Sequence, residues 1–289
     1  MAGRDARRAR AGTAAGGEAG LSAFRERVAE LAGVPAERLE RLAGGDLSEV
    51  LMVPRPGGTA AVAKAGSVVA TEAQMLRALA AGGVPVPAVE AEYGDILLID
   101  HIEADGAFTP RAWADVGRQV RAMHAHRAEL FGWPVDYALG TVLLDNRQRS
   151  DWPGFWAEQR LVSAASLLDK PWRERVDVLA ARLPDLLPAA PPPALLHGDL
   201  WAGNILVRAG RLAALIDPAC YHGDAEVDLA MLCLFGGPDD AFWEAYGALE
   251  PGWAERRPVY QLFPALVHLR LFGATYAAMV DRLLSELGA

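Results

Sequence analysis

The sequence predicts an α+β protein with a small strand-rich N-terminal lobe carrying one helix and a larger, mainly helical C-terminal lobe. Three observations lead there. Short apolar runs separated by Gly and Pro turns dominate the residues before about 102. Beyond that point, apolar residues recur three and four apart through most of the chain. Within the helical half, one polar loop, "HGDLWAGN" at 197–204, is framed by two apolar runs. The chain has 289 residues, 52% hydrophobic and 22% charged, with room for a substantial core and two lobes.

In chain order, residues 1–20 are rich in Ala, Gly and Arg and lack an apolar signal-peptide core, and they read as a disordered tail. The N-terminal lobe is assigned to 21–102. It opens with Leu21, Phe24, Val28 and Leu31 at helical spacing, closed by Gly33. "RLERLAGGDLSEVLMV" reads as strand, Gly turn and strand; "RPGGT" is a turn and "AAVAKAG" a third strand. A helix is expected over 67–81, ended by Gly82 and Gly83, and "VPVP" then forces extended chain. "DILLIDHIEA" is an apolar strand that leads out of the lobe. The C-terminal lobe, 103–289, begins with helical periodicity in "RAWADVGRQVRAMHAH", "WPGFWAEQRLVSAASLL" and "PWRERVDVLAARLPDLL". A linker, "PAAPPP", precedes the polar loop. "ILVRAG" and "RLAALID" read as a strand hairpin, and helices fill 225–285.

The formal charge of −9 argues against a nucleic-acid partner. No uninterrupted apolar run approaches the ~18 residues of a membrane span, so no membrane partner is expected. Two cysteines, Cys220 and Cys233, suit a reducing compartment and a cytoplasmic protein, and a monomer is expected.

The polar loop carries the chemistry. Phosphoryl transfer from ATP needs an acid to orient the attacking hydroxyl and accept its proton, and oxygen ligands for Mg²⁺ on the phosphates. The spacing His-x-Asp-x4-Asn, then strand, strand and Asp, supplies them. Asp199 suits the base, and Asn204 and Asp217 suit the metal. Each alone reads as a turn residue; together they read as a site. His197 is assigned a structural role in the loop. Lys64, one of two lysines in the chain, ends the third strand, and Glu72 on the next helix can hold it against the ATP phosphates. Gly44 and Gly45 lie where a loop over those phosphates would sit. The backbone of Asp100, His101 and Ile102 between the lobes is the expected adenine contact.

These motifs resemble the fructosamine (ketosamine) kinases, in the aminoglycoside-phosphotransferase branch of the protein-kinase-like fold. The resemblance rests on "HGDLWAGN", "IDPACYHGDAEVDLAMLCLFGG", "FGWPVDYALGT", "DWPGFWAEQRL" and "ERRPVYQLFPALVHLRLFG", and covers roughly residues 34–280. It implies a bilobal fold with ATP and Mg²⁺ as cofactors. It makes Asp199 the catalytic base, Asn204 and Asp217 metal ligands, Lys64 and Glu72 the phosphate pair, and Asp228 a buttress of the catalytic loop. Trp201 would border the sugar, and Trp156 and Arg160 pack their helix. The implied reaction phosphorylates a ketosamine, small or protein-bound, at the sugar 3-hydroxyl. The labile product would free the amine in deglycation repair. Three departures stand out: "GGDLSEV" in the nucleotide loop, the short separation of Lys64 and Glu72, and His101 in place of an aromatic residue.

Two other readings compete. A small-molecule kinase of the same fold could act on an aminoglycoside, choline or homoserine; the Trp201 motif favours the ketosamine. A non-catalytic nucleotide-binding scaffold would lack at least one of Lys64, Asp199, Asn204 and Asp217, and the chain has all four.

Overall fold

A computed structural model describes residues 22–42 and 49–289. The chain divides into two compact units. The first holds the described residues up to Ala73 together with Ala88–His101, and the second holds Gln74–Pro87 and Ile102–Ala289.

The first unit is a five-stranded antiparallel sheet with a helix, α1, over 22–32. The strands are β1 (Glu40–Arg41), β2 (Glu49–Pro54), β3 (Ala60–Ala65), β4 (Val89–Tyr93) and β5 (Ile96–Asp100), in the order β1-β2-β3-β5-β4. Side chains alternate across the sheet. Leu51, Val53, Ala61, Ala63, Ile96 and Leu98 form one core with Phe24 and Val28 of α1. Val62 and Lys64 therefore project from the other face of β3, with Lys64 opposite Val50 and Leu97. The "RPGGT" turn between β2 and β3 needs its glycines, because Gly57 and Gly58 both have φ of 84°.

Helix α2 (Val69–Ala81) follows β3. It ends as its glycines dictate: Gly83 is left-handed (φ 75°), and Val84 N–H returns to Leu79 C=O at 3.1 Å, closing a six-residue C-terminal cap. Met75, Leu79 and Val84 belong to the core of the second unit.

In the second unit, α3 (Pro110–His124) starts at Thr109, whose hydroxyl accepts from Ala112 N–H at 3.2 Å, with Pro110 in the first turn. The hairpin β6 (Tyr137–Leu139) and β7 (Val142–Leu144) follows. The expected helix from Trp152 is broken in kind: α4 (Trp152–Gly154) passes into a π-helical stretch, Phe155–Val162, before α5 (Ser163–Ala165). Then come α6 (Lys170–Ala180) and α7 (Leu183–Leu186), with the Pro-rich linker free of helix and strand. Strand β8 (Ala194–Leu196) pairs with β11 (Tyr221–Gly223). Between them, β9 (Ile205–Arg208) and β10 (Arg211–Leu215) form the expected hairpin on a two-residue turn. Its turn residues Ala209 and Gly210 are both left-handed (φ 52° and 72°), which matches the twist of a tight hairpin.

The last helices are α8 (Glu226–Leu232), α9 (Asp240–Tyr246), α10 (Trp253–Phe272) and α11 (Ala277–Glu286). Helices α3 and α9 pack closely because Gly117 has no side chain; a Cβ there would lie 2.5 Å from Phe242 O. The stretch Trp253–Glu286 is long and apolar enough by composition to cross a membrane. It is nevertheless broken at Gly273 (φ 75°), and α11 packs back on α10.

Candidate active site

The site grows from the end of β8. His197 follows that strand, and its loop is stitched to the segment after β10. His197 C=O accepts from Ala219 N–H at 2.8 Å, and Asn204 C=O accepts from Ile216 N–H at 3.0 Å. His197 is fully buried and donates Nε2–H to Ile216 O at 3.0 Å, which leaves Nδ1 facing the amide of Asp199 at 3.4 Å. Burial lowers its pKa, in keeping with a neutral ring used as a brace. Gly198 explains the small residue between His and Asp. Its φ is 81°, and a Cβ would lie 1.9 Å from Ala219 O.

Asp199 is half-buried, and Asn204, in a short 3₁₀ turn (Ala202–Asn204), is buried. Asn204 Nδ2 donates to both the carbonyl (2.9 Å) and Oδ2 (3.0 Å) of Asp199. This anchors one carboxylate oxygen and orients the amide so that Oδ1 is its oxygen donor. Withdrawal from water lifts the Asp199 carboxyl to about 7; the Asn204 hydrogen bond opposes the lift, and the charges of Asp217 and Asp228 add to it. Asp217, after β10, has φ of 54°, a left-handed conformation that a non-glycine residue adopts at a cost of ~1–3 kcal/mol. The backbone bonds of Ile216 hold the chain at this strained position.

Asp228 of α8 is completely buried beneath the loop. Its Oδ2 accepts from His197 N–H at 2.8 Å and its Oδ1 from Gly198 N–H at 2.9 Å. His124, from the end of α3, donates Nε2–H to Asp228 Oδ2 at 3.1 Å, and its Nδ1 accepts from Tyr246 Oη of α9 at 2.9 Å. Tyr137 Oη donates to Ala219 O at 2.6 Å and secures the opposite segment. Sequence reasoning missed His124, Tyr246 and Tyr137. His124 and Tyr246 belong to no motif singled out in the sequence, and His124 stands 104 residues from Asp228. Tyr137 lies within "FGWPVDYALGT", which carries no sign of its bond to Ala219 O.

Trp201 is 38% exposed, with its ring over Gly203, where a Cβ would lie 2.3 Å from the indole. Its edge meets Phe235, centroids 6.1 Å apart. Trp156 and Arg160 are both in the core. Arg160 lies over the Phe155 and Tyr221 rings at 4.6 and 4.2 Å and donates to Asn146 Oδ1 at 2.7 Å.

In the first unit, Lys64 is buried and ion-paired with Glu72 from the first turn of α2. Asp100 closes β5, opposite Ala61. His101 N–H donates to Ala60 O at 3.2 Å and so belongs to the sheet's bonding. Ile102 opens the second unit. Gly44 and Gly45 lie outside the described residues.

Among the described residues, no group of three or more His, Cys, Asp or Glu side chains gathers as a metal site. Asn204 Oδ1 and the Asp217 carboxylate are hard oxygen donors of the kind that suits Mg²⁺, an ion commonly held by one or two protein groups together with phosphate oxygens and water. The donor chemistry therefore fits that ion.

The sequence profile of the fructosamine kinase family matches residues 29–289. A "probable ketoamine kinase" of Thermus thermophilus is 35% identical over 252 residues, 84% of this chain and 92% of the relative. One of Lactiplantibacillus plantarum is 40% identical over 173 residues, and that match spans 61% of the relative's length and 56% of this chain. Among solved structures, a "putative fructosamine-3-kinase" of Thermobifida fusca superposes with a TM-score of 0.81 at 33% identity, covering 91% of this chain and 98% of that one. An amicoumacin kinase solved with AMP-PNP and Ca²⁺ shares the fold at 16% identity, with a TM-score of 0.58 over 87% of this chain and 88% of its own. The architecture is thus the α+β fold of the kinase-like phosphotransferases. By its profile match and its relatives, this chain belongs to the fructosamine kinase family.

Proposed function

We propose that the protein transfers the γ-phosphoryl group of ATP to a sugar hydroxyl of a ketosamine, at the 3-position, and so serves deglycation. The observation that carries this is the Asp199–Asn204 pair on a loop held from beneath by Asp228. With Oδ2 anchored by Asn204, Asp199 presents Oδ1 to the acceptor hydroxyl, orients it and takes its proton. A carboxyl lifted to about 7 holds that proton better than an ordinary aspartate and titrates near neutral pH. Asn204 Oδ1 and Asp217 hold Mg²⁺ when it is bound, and the ion then offsets charge on the phosphates. Lys64, aligned by Glu72, is assigned to the nucleotide phosphates, the Asp100 carbonyl and Ile102 amide to adenine, and Gly44 and Gly45 to the loop over the phosphates. Trp201 is placed against the sugar ring, where its exposed face offers an apolar platform.

The test is ADP release from purified protein with Mg-ATP and ribulosyl- or fructosyl-lysine, with product regiochemistry read by phosphorus NMR. Kanamycin, choline and homoserine serve as competing acceptors. The proposal fails if no ketosamine is turned over, or if one of these acceptors is preferred.

A further inference from the structure

The aromatic contact of Trp201 does not stop at Phe235. Phe235 meets His268 at 5.1 Å, and His268 meets Tyr276 at 4.9 Å and Phe272 at 5.5 Å. Phe235 and Phe272 are each 40% exposed, so this is an open aromatic wall leading away from the catalytic loop. His268 shares one stripe of α10 with Gln261 and Arg257, which lie toward the helix N-terminus at intervals of seven and four residues. There the chain forms a cavity of about 230 Å³ lined by Cys233, Leu234, Arg257, Gln261 and Arg282.

Two guanidinium groups thus face one cavity in a chain of charge −9. Among the described residues, no carboxylate lies at ion-pair distance from Arg257, and Arg282 has Glu286 only at 3.9 Å. Gln261 is buried and fixed by its bond to Ala230 O at 3.1 Å. Paired arginines recognise planar carboxylates through two-pronged hydrogen bonds.

We propose that the wall and cavity form a subsite for the amine half of the acceptor, with Arg257 and Arg282 binding the carboxylate of an amino acid linked to the sugar through its side-chain amine. This rests on the ketosamine reading above. The wall and the cavity are contiguous in the chain, because Phe235 directly follows Cys233 and Leu234, which line the cavity. The protonated secondary amine of the adduct then passes over aromatic faces, which attract a cation.

The test compares two acceptors, ribulosyl-lysine and ribulosyl-cadaverine, which differ by the carboxylate. The expected KM for the lysine adduct is about tenfold lower, and the ratio falls toward one in the Arg257→Gln/Arg282→Gln double variant. Both positions are exposed, and a melting curve checks that the variant folds. Equal KM values in the wild-type protein, or a ratio untouched by the double substitution, overturn the subsite while leaving ketosamine phosphorylation standing. If neither adduct is phosphorylated, the ketosamine reading fails and the subsite falls with it.

Discussion

Replacing Asp228 with Asn changes one buried atom and tests how the catalytic loop is held. The carboxylate accepts three hydrogen bonds, from His197 N–H, Gly198 N–H and His124 Nε2–H, and is fully buried. An amide must put an NH₂ where one oxygen was. Turned toward Oδ2 it faces two donors; turned toward Oδ1 it faces only Gly198 N–H, so that orientation wins. One bond is then lost, two donors oppose each other, and the other two bonds lose their charge assistance. A hydrogen bond to a charged group contributes about 1.5–3 kcal/mol, and a stranded buried donor costs about 1–3 kcal/mol. A destabilisation of roughly 3 kcal/mol follows, or about 6–12 °C in Tm at about 2–4 °C per kcal/mol for a chain of this size. Asp239→Asn is the control, because Asn caps a helix as well as Asp does at this N-terminal position. Thermal melts of the two variants and the wild type, with kcat and KM for Mg-ATP and ribulosyl-lysine, decide the matter. Asp228→Asn should lower kcat at least tenfold with little change in either KM. A loss under about 1 kcal/mol, or one equal to that of Asp239→Asn, refutes the reasoning.

The remaining predictions concern the loop itself. Asp199→Asn should lower kcat by about 10²–10⁴-fold, and the wild-type kcat/KM profile should rise with pH through a limb near 7. The same raised carboxyl binds a proton in the folded state that the unfolded chain, with its ordinary value of 3.8, releases as pH climbs. Its contribution to stability is therefore greatest below about 4 and is lost as pH rises through 7. The full lift corresponds to about 4 kcal/mol, which partial exposure reduces to roughly 1–2 kcal/mol. Asp199→Asn should accordingly melt higher than wild type at pH 8 in EDTA and show no such gain near pH 4.5; equal gains at both would contradict the assignment. Gly198→Ala forces a left-handed alanine against Ala219 O and should cost roughly 3–5 kcal/mol, read as a lost or strongly lowered melting transition. Trp201→Leu should raise KM for the ketosamine about fivefold or more with Tm within ~2 °C of wild type, and an unchanged KM would remove Trp201 from the sugar site.

Asp199, Asn204 and Asp217 were legible as candidates because they stand close together in the chain, with a hairpin between Asn204 and Asp217, so one local pattern contains all three. The hairpin itself was legible from its apolar runs, and α2 from its glycine stop. Strand β4 was not: it runs "VEAEY" along the sheet edge, with none of its residues fully buried, so the apolar alternation that marks a half-buried strand is missing. The π-helical stretch reads in sequence as ordinary amphipathic helix, since only hydrogen-bond geometry separates the two. His124 and Tyr246 became visible only when α3 and α9 were packed together, a contact that depends on the missing side chain of Gly117. Asp217's strain likewise has no compositional signature.

The π-helical stretch has a consequence for which changes of length this region tolerates. Phe155, Trp156, Gln159, Arg160 and Leu161 are all buried there, five inward residues out of eight, and Ser163 N–H closes the wide turn onto Glu158 O. A wider turn is what one additional residue makes of an α-helix. Deleting a single residue between Phe155 and Val162 would thus leave a regular helix of good intrinsic stability. The flanking helices would keep their phase, because the wide turn already absorbs the extra residue, and the change of facing would fall on the side chains within the stretch. Arg160 would leave its aromatic seat and its bond to Asn146. Descendants of this chain can exchange side chains here one at a time, but they cannot shed the extra residue without rebuilding the core around it.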